Sequence, residues 1–323
     1  RDLIYQIIPD YDVVLINFRV GVAERLGIDY ESLKKLNEKL IYCEITGFGS
    51  EGPLKNRAGT DVVGVAYTGL MVGEAKVDEN GLPIGVTSSS IADYCAGFSA
   101  ATSINAALLH REKTGEGQKI ETSLLRAGLA IQDTNVMREP VHDAVTRDGM
   151  MEEISLLRDN KASYPEILAA RAKGRGMRAH FRSYYGGYQT ADGRFLVLGA
   201  LTPATRQSAR KVLGITDDHS DDPEFDANDP ASIVAAQDLR NRVAEIILTK
   251  PIDEWIVELE AAGVPCAPVN IPEEMSEDPQ VVALGIMQDL IHPITGPQKV
   301  VGPVATMSET PTIIQRHAPV LGA

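Results

Sequence analysis

Short apolar runs alternate with amphipathic stretches along the first part of the chain. A short apolar run lies within positions 12–17, which is typical of a buried parallel strand, and positions 40–45 alternate like a strand. The stretch 30–37 between them has helical spacing, with Leu33 and Leu36 predicted to face inward. Strands that alternate with helices form parallel sheets, because each helix carries the chain back to the same edge. This pattern predicts an open α/β sheet.

The next segment predicts two helices and a third strand. A glycine-rich loop at 47–53 leads to helices at about 61–72 and 91–110, and 118–124 has the pattern of a strand. The predicted apolar face of the longer helix consists of Ile91, Tyr94, Phe98, Ile104 and Leu108.

The remainder of the chain has a more mixed pattern. Residues 125–178 are helical but carry many charges and few turn signals, which suits long helices that cross or link domains. Strands are predicted on either side of the turn Ala191-Asp-Gly193. Helices follow at about 231–249 and 252–262, and a hairpin is predicted at 293–303.

Composition and charge narrow the class of protein. The chain has 323 residues, 44% of them hydrophobic, and a formal net charge of −14. At roughly 100–200 residues per domain, this length predicts about two domains. An acidic surface repels phosphate backbones and anionic membranes, and no apolar run is long enough to cross a bilayer. We expect a soluble, cytoplasmic protein that binds neither nucleic acid nor membrane.

The sequence gives little support to metal or disulfide chemistry. Cys43, Cys95 and Cys266 are far apart and odd in number, and none belongs to a CxxC pair. The acidic stretch 217–229 lacks the central glycine and late glutamate of a calcium loop. A solvated acidic loop is the favoured interpretation, and no metal is expected.

Asp93 is the first candidate for chemistry. Ser90 and Asp93 have the spacing of a capping box at the start of the long predicted helix. Asp93 could therefore simply cap the helix. The same position would also hold a carboxylate ionised and oriented, as a covalent nucleophile requires. The two interpretations are compatible.

A second candidate is the region around the first two loops of the sheet. The loop 47–59 lets backbone N–H groups approach an anion or a thioester oxygen, although it lacks the spacing of a phosphate-binding motif and could be a plain connection. Basic residues concentrate nearby, which suits a phosphorylated ligand but is also compatible with ordinary solvated charge. The region contains Asn17 and Phe18 together with the basic residues Arg19, Arg25, Lys34, Lys35, Lys55 and Arg57.

Several segments, taken in order, resemble the family III CoA-transferases, the superfamily of formyl-CoA transferase, carnitine CoA-transferase and α-methylacyl-CoA racemase. They cover most of the chain. The matching segments are DVVLINFRVG at 12–21, RLG at 25–27, ITGFGSEGP at 45–53, GTD at 59–61, GLM at 69–71, IAD at 91–93 with Gly97, LLHREKTGEGQ at 108–118, YQTADG at 188–193, AGVPCAPV at 262–269, DPQ at 278–280 and HP at 292–293.

The resemblance implies a fold and an assembly. A large Rossmann-like open-sheet domain that binds CoA is joined to a smaller α/β domain, and ring-like subunits interlock as a homodimer. A further βα unit would precede Arg1, and a short tail would follow Ala323. The implied parts are 1–124 for the large domain, 125–180 for a helical linker, 181–262 for the small domain, 263–296 for a return linker, and 297–323 for a C-terminal part that rejoins the large domain.

The resemblance also implies an activity, which is the transfer of CoA from an acyl-CoA thioester to an acceptor carboxylic acid. Asp93 matches the family's nucleophile, which would pass through mixed-anhydride and aspartyl-CoA thioester intermediates. Coenzyme A enters as the substrate thioester, and no metal takes part. The implied contacts of CoA are Asn17, Phe18 and Arg25, with Arg57, Thr60 and Asp61 lining the same region.

One residue discriminates within the superfamily. The related racemases have a histidine base at the position of Thr60, and threonine cannot take that role. Transfer is therefore favoured over racemisation. The alternatives are a racemase-like enzyme and a truncated, non-catalytic CoA-binding protein. The glycine-containing segment 185–189 only faintly resembles the family's glycine-rich loop, and we assign it no role.

Overall fold

A computed structural model of the chain contains two compact units, Arg1–Arg175 and Gly176–Ala323. The structure describes residues 1–85, 89–173, 180–226 and 229–320.

The first unit contains a small parallel sheet surrounded by helices. Its elements are α1 (Asp2–Ile7), β1 (Val13–Ile16), α2 (Val22–Leu26), α3 (Tyr30–Lys34), β2 (Ile41–Thr46), α4 (Asp61–Tyr67), α5 (Leu70–Glu74), α6 (Ile91–Thr114), β3 (Gln118–Ser123), α7 (Leu124–Ala130), α8 (Asp133–Val136), α9 (Pro140–Thr146), α10 (Asp148–Asp159) and α11 (Tyr164–Lys173), with a 3₁₀ turn at Ile8–Asp10.

The parallel sheet confirms the mixed α/β prediction. Its strand order is β1–β2–β3, and both pairs are parallel, with Val13 opposite Ile41 and Ile41 opposite Gln118. The central strand β2 is buried along most of its length because helices and neighbouring strands cover it. Leu33 is fully buried as predicted. Leu36 is 40% exposed, because α3 ends at Lys34.

The predicted apolar face of α6 is only partly buried: Ile91, Ile104 and Leu108 are half-buried, but its two aromatic residues are exposed. Tyr94 and Phe98 are 62% and 54% exposed. The buried positions of α6 are instead alanines: Ala92, Ala96, Ala100 and Ala107. The neighbouring helices α4 and α7 lie so close together that a Cβ on Gly64 would be 3.1 Å from the Cβ of Leu124. Small side chains fill this part of the core, so the large apolar side chains do not mark the buried face.

The second unit has an antiparallel sheet and three longer helices. Its elements are β4 (Tyr185–Gln189), β5 (Phe195–Gly199), α12 (Pro203–Leu213), α13 (Pro230–Ile247), α14 (Ile252–Ala261), β6 (Cys266–Pro268), α15 (Pro279–Ala283), β7 (Met287–His292) and β8 (Gly296–Val301), with 3₁₀ turns at His180–Ser183 and Pro272–Glu277.

The core of this unit lies between the β4–β5–β6 sheet and the helices. Leu196 and Leu198 of β5 pack with Trp255 of α14, whose Nε1 donates to the carbonyl of Ile247 at 2.7 Å. The predicted turn at 191–193 is confirmed, with Gly193 in a left-handed conformation. The separate β7–β8 hairpin begins earlier than predicted, because residues 293–295 form its turn.

The acidic stretch after α12 is not simply a solvated loop. Asp218 is almost buried and accepts hydrogen bonds from Arg210 Nε at 2.8 Å and from the Tyr184 hydroxyl at 2.9 Å. Asp221 pairs with Arg206 and Arg210. Burial alone would raise the pKa of Asp218, but the hydrogen bonds from Arg210 and its other donors outweigh burial and lower it. These ion pairs hold the stretch against α12.

Among the described residues, no helix combines the length and the apolar character that a bilayer crossing requires.

Replacing Arg210 by alanine tests this ion-pair network. We expect the variant to lose about 3 kcal/mol of unfolding free energy, because two largely buried carboxylates lose a partner. Arg242→Ala is the matched control, since it breaks an exposed pair with Asp217 in the same stretch and should cost less than about 1 kcal/mol. Urea denaturation measures both. Equal losses would contradict the account.

Candidate active site

The N-terminus of α6 is capped from another helix. Oδ1 of Asp61 accepts hydrogen bonds from the backbone N–H groups of Ala92 at 2.7 Å and Asp93 at 3.1 Å. The side chain of Ser90, which occupies the N-cap position, makes no capping hydrogen bond. The predicted capping box of Ser90 and Asp93 is therefore wrong, and Asp61 satisfies two of the donors that a helix start leaves unpaired.

This arrangement leaves the side chain of Asp93 outside the cap. Asp93 is an exposed residue of the first turn of α6. Burial and the neighbouring carboxylate of Asp61 raise its pKa above the ordinary value of 3.8. A helix N-terminus favours the ionised form, whereas burial and the Asp61 charge favour the protonated form. The result is a carboxylate that is more basic than usual, and a more basic oxygen is a better nucleophile.

Asp61 is placed by the loop that precedes it. Thr60 is the N-cap residue of α4 with an extended backbone, and Asp61 is the first residue of the helix. Before them, Gly59 lies against Gly47, so that a Cβ added to Gly47 would be 2.7 Å from the Cα of Gly59. Neither position has space for a side chain. The contact between the two glycines closes the loop at its base. It brings the start of α4 close to the end of β2.

Side chains around this loop hold it against the sheet. The N–H of Gly49 donates to Oγ1 of Thr46 at 2.9 Å, and the hydroxyl of Ser50 donates to Glu121 at 2.7 Å. Within the loop, the guanidinium of Arg57 lies 5.9 Å from the ring centroid of Phe48. The buried Phe48 ring in turn packs edge-on against Tyr67 of α4. Arg57 is therefore supported by an aromatic surface.

A buried charge that the sequence interpretation missed lies beneath the loop. Glu44, in the centre of β2, is only 6% exposed and pairs with Lys119 Nζ at 3.1 Å. Lys119 also contacts Glu121, which accepts the Ser50 hydroxyl. Burial alone would lower the pKa of Lys119, but these hydrogen bonds outweigh it and raise the pKa. Glu44 and Lys119 lie on adjacent strands, so only their pairing in the sheet, which no local pattern shows, could have revealed this network.

The remaining residues that were predicted to contact CoA come after β1 in the chain. Asn17 and Arg25 are exposed, Phe18 is 39% exposed, and Arg25 Nη1 donates to the carbonyl of Gly21 at 3.3 Å. Since β1 and β2 are parallel neighbours, this segment and the glycine-rich loop leave the sheet at the same edge.

The predicted site residues thus form two groups. Asp61 and Asp93 are in direct contact through the α6 cap, and Thr60 and Arg57 precede Asp61. Throughout the described ranges, no hydrogen bond or ion pair joins this group to the residues that follow β1. The described residues also contain no cluster of three His, Cys, Asp or Glu side chains that could hold a metal ion.

Comparisons with known proteins identify the family. The model of CoA-transferase family III matches residues 1–323. A succinate–glutarate CoA-transferase from Agrobacterium fabrum is 32% identical over 99% of this chain and 72% of its own length. The chain therefore belongs to CoA-transferase family III.

Other relatives are similar over nearly all of the chain. An acyl-CoA transferase from Fusarium pseudograminearum is 29% identical over 100% of the chain, and a succinyl-CoA:glutarate CoA-transferase from Homo sapiens is 27% identical over 96% of it. The chain spans 64% of the length of each of these two proteins.

Solved structures show the same fold. The structure of Rv3272 from Mycobacterium tuberculosis in its orthorhombic form has a TM-score of 0.74 and 21% identity, covering 98% of this chain and 76% of that one. A CAIB/BAIF family protein from Brucella suis has a TM-score of 0.65 and 25% identity, covering 98% and 74%. These similarities confirm the mixed α/β fold.

Replacing Asp61 by alanine tests the cap. We expect a loss of about 1 kcal/mol of unfolding free energy, because two N–H groups of α6 lose their acceptor. Asp61→Asn should lose less, since its amide oxygen can still accept. Ser90→Ala is the control and should be nearly neutral in urea denaturation, because the Ser90 side chain makes no capping bond. A larger loss for Ser90→Ala than for Asp61→Ala would contradict the assignment.

Proposed function

We propose that this protein transfers CoA from an acyl-CoA thioester to an acceptor carboxylic acid, with Asp93 as the covalent nucleophile. The observation that carries the proposal is the exposed Asp93 carboxylate at the start of α6, left free because Asp61 takes the helix N–H groups. Family membership supports the reaction class, and the names of several relatives include CoA-transferase.

The first half-reaction loads CoA onto the protein. A carboxylate oxygen of Asp93 attacks the thioester carbon, the C–S bond breaks, and a mixed anhydride and CoA thiolate form. The thiolate then attacks the Asp93 carbonyl carbon of the anhydride. The C–O bond breaks there, the donor leaves as its carboxylate, and an aspartyl-CoA thioester remains. Both intermediates are activated acyl groups, so neither is a stable trap.

The second half-reaction repeats these steps in reverse with the acceptor. The acceptor carboxylate attacks the aspartyl-CoA thioester, which gives a second mixed anhydride and CoA thiolate. The thiolate attacks the acyl carbon of the acceptor, which releases the new acyl-CoA and restores the Asp93 carboxylate. No proton or electron is consumed overall. The raised pKa of Asp93 favours the first step, in which its oxygen attacks the thioester carbon.

The CoA moiety would bind at the edge of the sheet where β1 and β2 end. The guanidinium groups of Arg25 and Arg57 have no carboxylate partner within the part of the chain that the structure describes. Unpaired cations in a chain of net charge −14 suit an anionic ligand. We propose that Asn17, Phe18 and Thr60 line the same site.

We also propose that the protein is a homodimer. The exposed faces of Tyr94 and Phe98 support this, since their rings lie side by side on α6 with centroids 6.5 Å apart. Exposed aromatic pairs on a helix surface are typical of interfaces.

Racemisation of an acyl-CoA is the second candidate. It needs a base that removes the α-proton, and Thr60 provides no such base. We therefore prefer transfer. A non-catalytic CoA-binding protein is the third alternative, and the experiment below distinguishes it.

Trapping the covalent intermediate tests the proposal. After incubation with an acyl-CoA and hydroxylamine, we expect mass spectrometry to find a hydroxamate on the peptide that contains Asp93. Asp93→Asn should lose the adduct and reduce transfer by about a thousandfold or more, because it removes the nucleophile. Glu112→Gln is the matched control, since it neutralises an exposed carboxylate at the other end of α6.

The stability of the same variants completes the test. Because the folded-state pKa of Asp93 is raised, its ionisation costs stability as the pH rises through that pKa. Asp93→Asn should therefore melt at a higher temperature than the wild type at neutral pH, and this difference should shrink at acid pH. A protein that binds CoA while Asp93 stays unmodified would contradict the nucleophile and favour the binding protein.

A further inference from the structure

The second unit contains an open cleft of about 820 Å³. It lies between the N-terminal half of α13 and the chain that enters β4. Arg182, Tyr185 and Gly186 line one side, and Ile233, Val234, Asp238 and Arg240 of α13 line the other. None of these residues belongs to the Asp93 site described above.

Two arginines of this cleft have no carboxylate partner among the described residues. Among the described residues of this unit, Arg194, Arg206, Arg210 and Arg242 each pair with an aspartate. In the same described ranges, neither Arg182 nor Arg240 lies within ion-pair distance of a carboxylate. Arg182 and Arg240 both line the cleft, and guanidinium groups are donors suited to a carboxylate ligand.

Arg240 is held in place before any ligand arrives. Its Nη1 donates to the backbone carbonyl of Arg182 at 3.0 Å, and its guanidinium lies 5.5 Å from the ring centroid of Tyr188. A guanidinium has five N–H donors, so this support leaves several free. A fixed orientation reduces the side-chain entropy that is lost when a ligand binds.

Gly186 makes this arrangement possible. A Cβ at position 186 would lie 3.0 Å from the carbonyl oxygen of Arg182 and 3.2 Å from Nη1 of Arg240. A side chain there would press on the hydrogen bond that holds Arg240. The segment Tyr185–Gln189 forms strand β4. Gly186, the first glycine of β4, therefore leaves room for the hydrogen bond between Arg240 and Arg182 in the cleft.

The rest of the lining indicates the chemical class of the ligand. Ile233 and Val234 are 42% and 61% exposed and give the cleft an apolar wall, while the exposed ring of Tyr185 lies in the opposite lining. A hydrocarbon chain can cover these surfaces, whereas an inorganic anion cannot. Asp238 adds one negative charge, which opposes an anion but leaves the two guanidinium groups in excess.

We propose that this cleft binds a small carboxylic acid with a short hydrocarbon chain. The carboxylate accepts N–H bonds from Arg240 and Arg182, and the chain lies along Ile233 and Val234. The proposal goes beyond the transfer reaction and does not depend on Asp93. It gives the second unit a binding site of its own.

Isothermal titration calorimetry with butyrate tests the site. We expect saturable binding to the wild type, and binding at least about tenfold weaker for Arg182→Gln and Arg240→Gln, because each removes a charged hydrogen-bond donor. Asp238→Asn should bind butyrate more tightly, since it removes the opposing charge. Arg194→Gln is the matched control, because it neutralises an exposed arginine of the same unit and should leave affinity unchanged.

The Arg182→Gln variant is expected to keep the fold of the cleft, so a loss of binding cannot be attributed to misfolding. Only the backbone carbonyl of Arg182 takes part in the support of Arg240, so the side chain can be changed without removing that hydrogen bond. Asp93→Asn should bind butyrate as the wild type does, even though it loses transfer. Absence of saturable binding, equal weakening by Arg194→Gln and Arg182→Gln, or binding of inorganic phosphate as tight as that of butyrate would each overturn the proposal.

Discussion

The carboxylate of Asp61 connects the two helices on which the candidate site depends. A helix start leaves several N–H groups without partners, and an oxygen from the same chain segment usually satisfies some of them. Here the oxygen comes from the first residue of α4. One side chain thereby fixes the position of α4 relative to α6 and places a second negative charge beside Asp93. Burial raises the pKa of Asp93, and the Asp61 carboxylate that stabilises α6 adds to that rise.

Close packing around this contact explains why so many neighbouring residues are small. Gly47 and Gly59 touch through their backbones, and a side chain on either would collide with the backbone of the other. The alanines of α6 fill the space beside α4 and α7. Glu44 and Lys119 then connect the buried centre of the sheet to Glu121, which holds Ser50 of the loop. The site is therefore supported by packing that allows little change in side-chain volume.

Local periodicity was sufficient to predict most of the strands and several of the helices. The strands predicted at 12–17 and 40–45 became β1 and β2, and the helices predicted at 231–249 and 252–262 became α13 and α14. Local patterns failed where the deciding partner is distant in sequence. Ser90 has the spacing of a cap, but Asp61 takes that role.

The same limit applies to side chains whose surroundings depend on the fold. Tyr94 and Phe98 are the largest apolar residues in the first turns of α6, yet the crowded core accepts alanines and leaves these rings exposed. Asp218 belongs to an acidic stretch, yet Arg210 pairs with it in a nearly buried position. For the candidate site, the resemblance to family III CoA-transferases was enough to single out Asp93 and Asp61. The hydrogen bond from the Asp93 N–H to the Asp61 carboxylate became visible only in the structure. The roles of Asn17, Phe18, Arg25, Arg57 and Thr60 stay predictions.

The pKa of Asp93 is the most direct measure of the central claim, which is that Asp61 caps α6 and makes Asp93 more basic. Carbon-13 NMR of the aspartate carboxyl groups, with Asp93→Asn to assign the signal, gives that pKa in the wild type and in Asp61→Asn. The account predicts a wild-type value above 3.8 that falls when Asp61 is neutralised. A wild-type value at or below 3.8, or one that Asp61→Asn leaves unchanged, would contradict it.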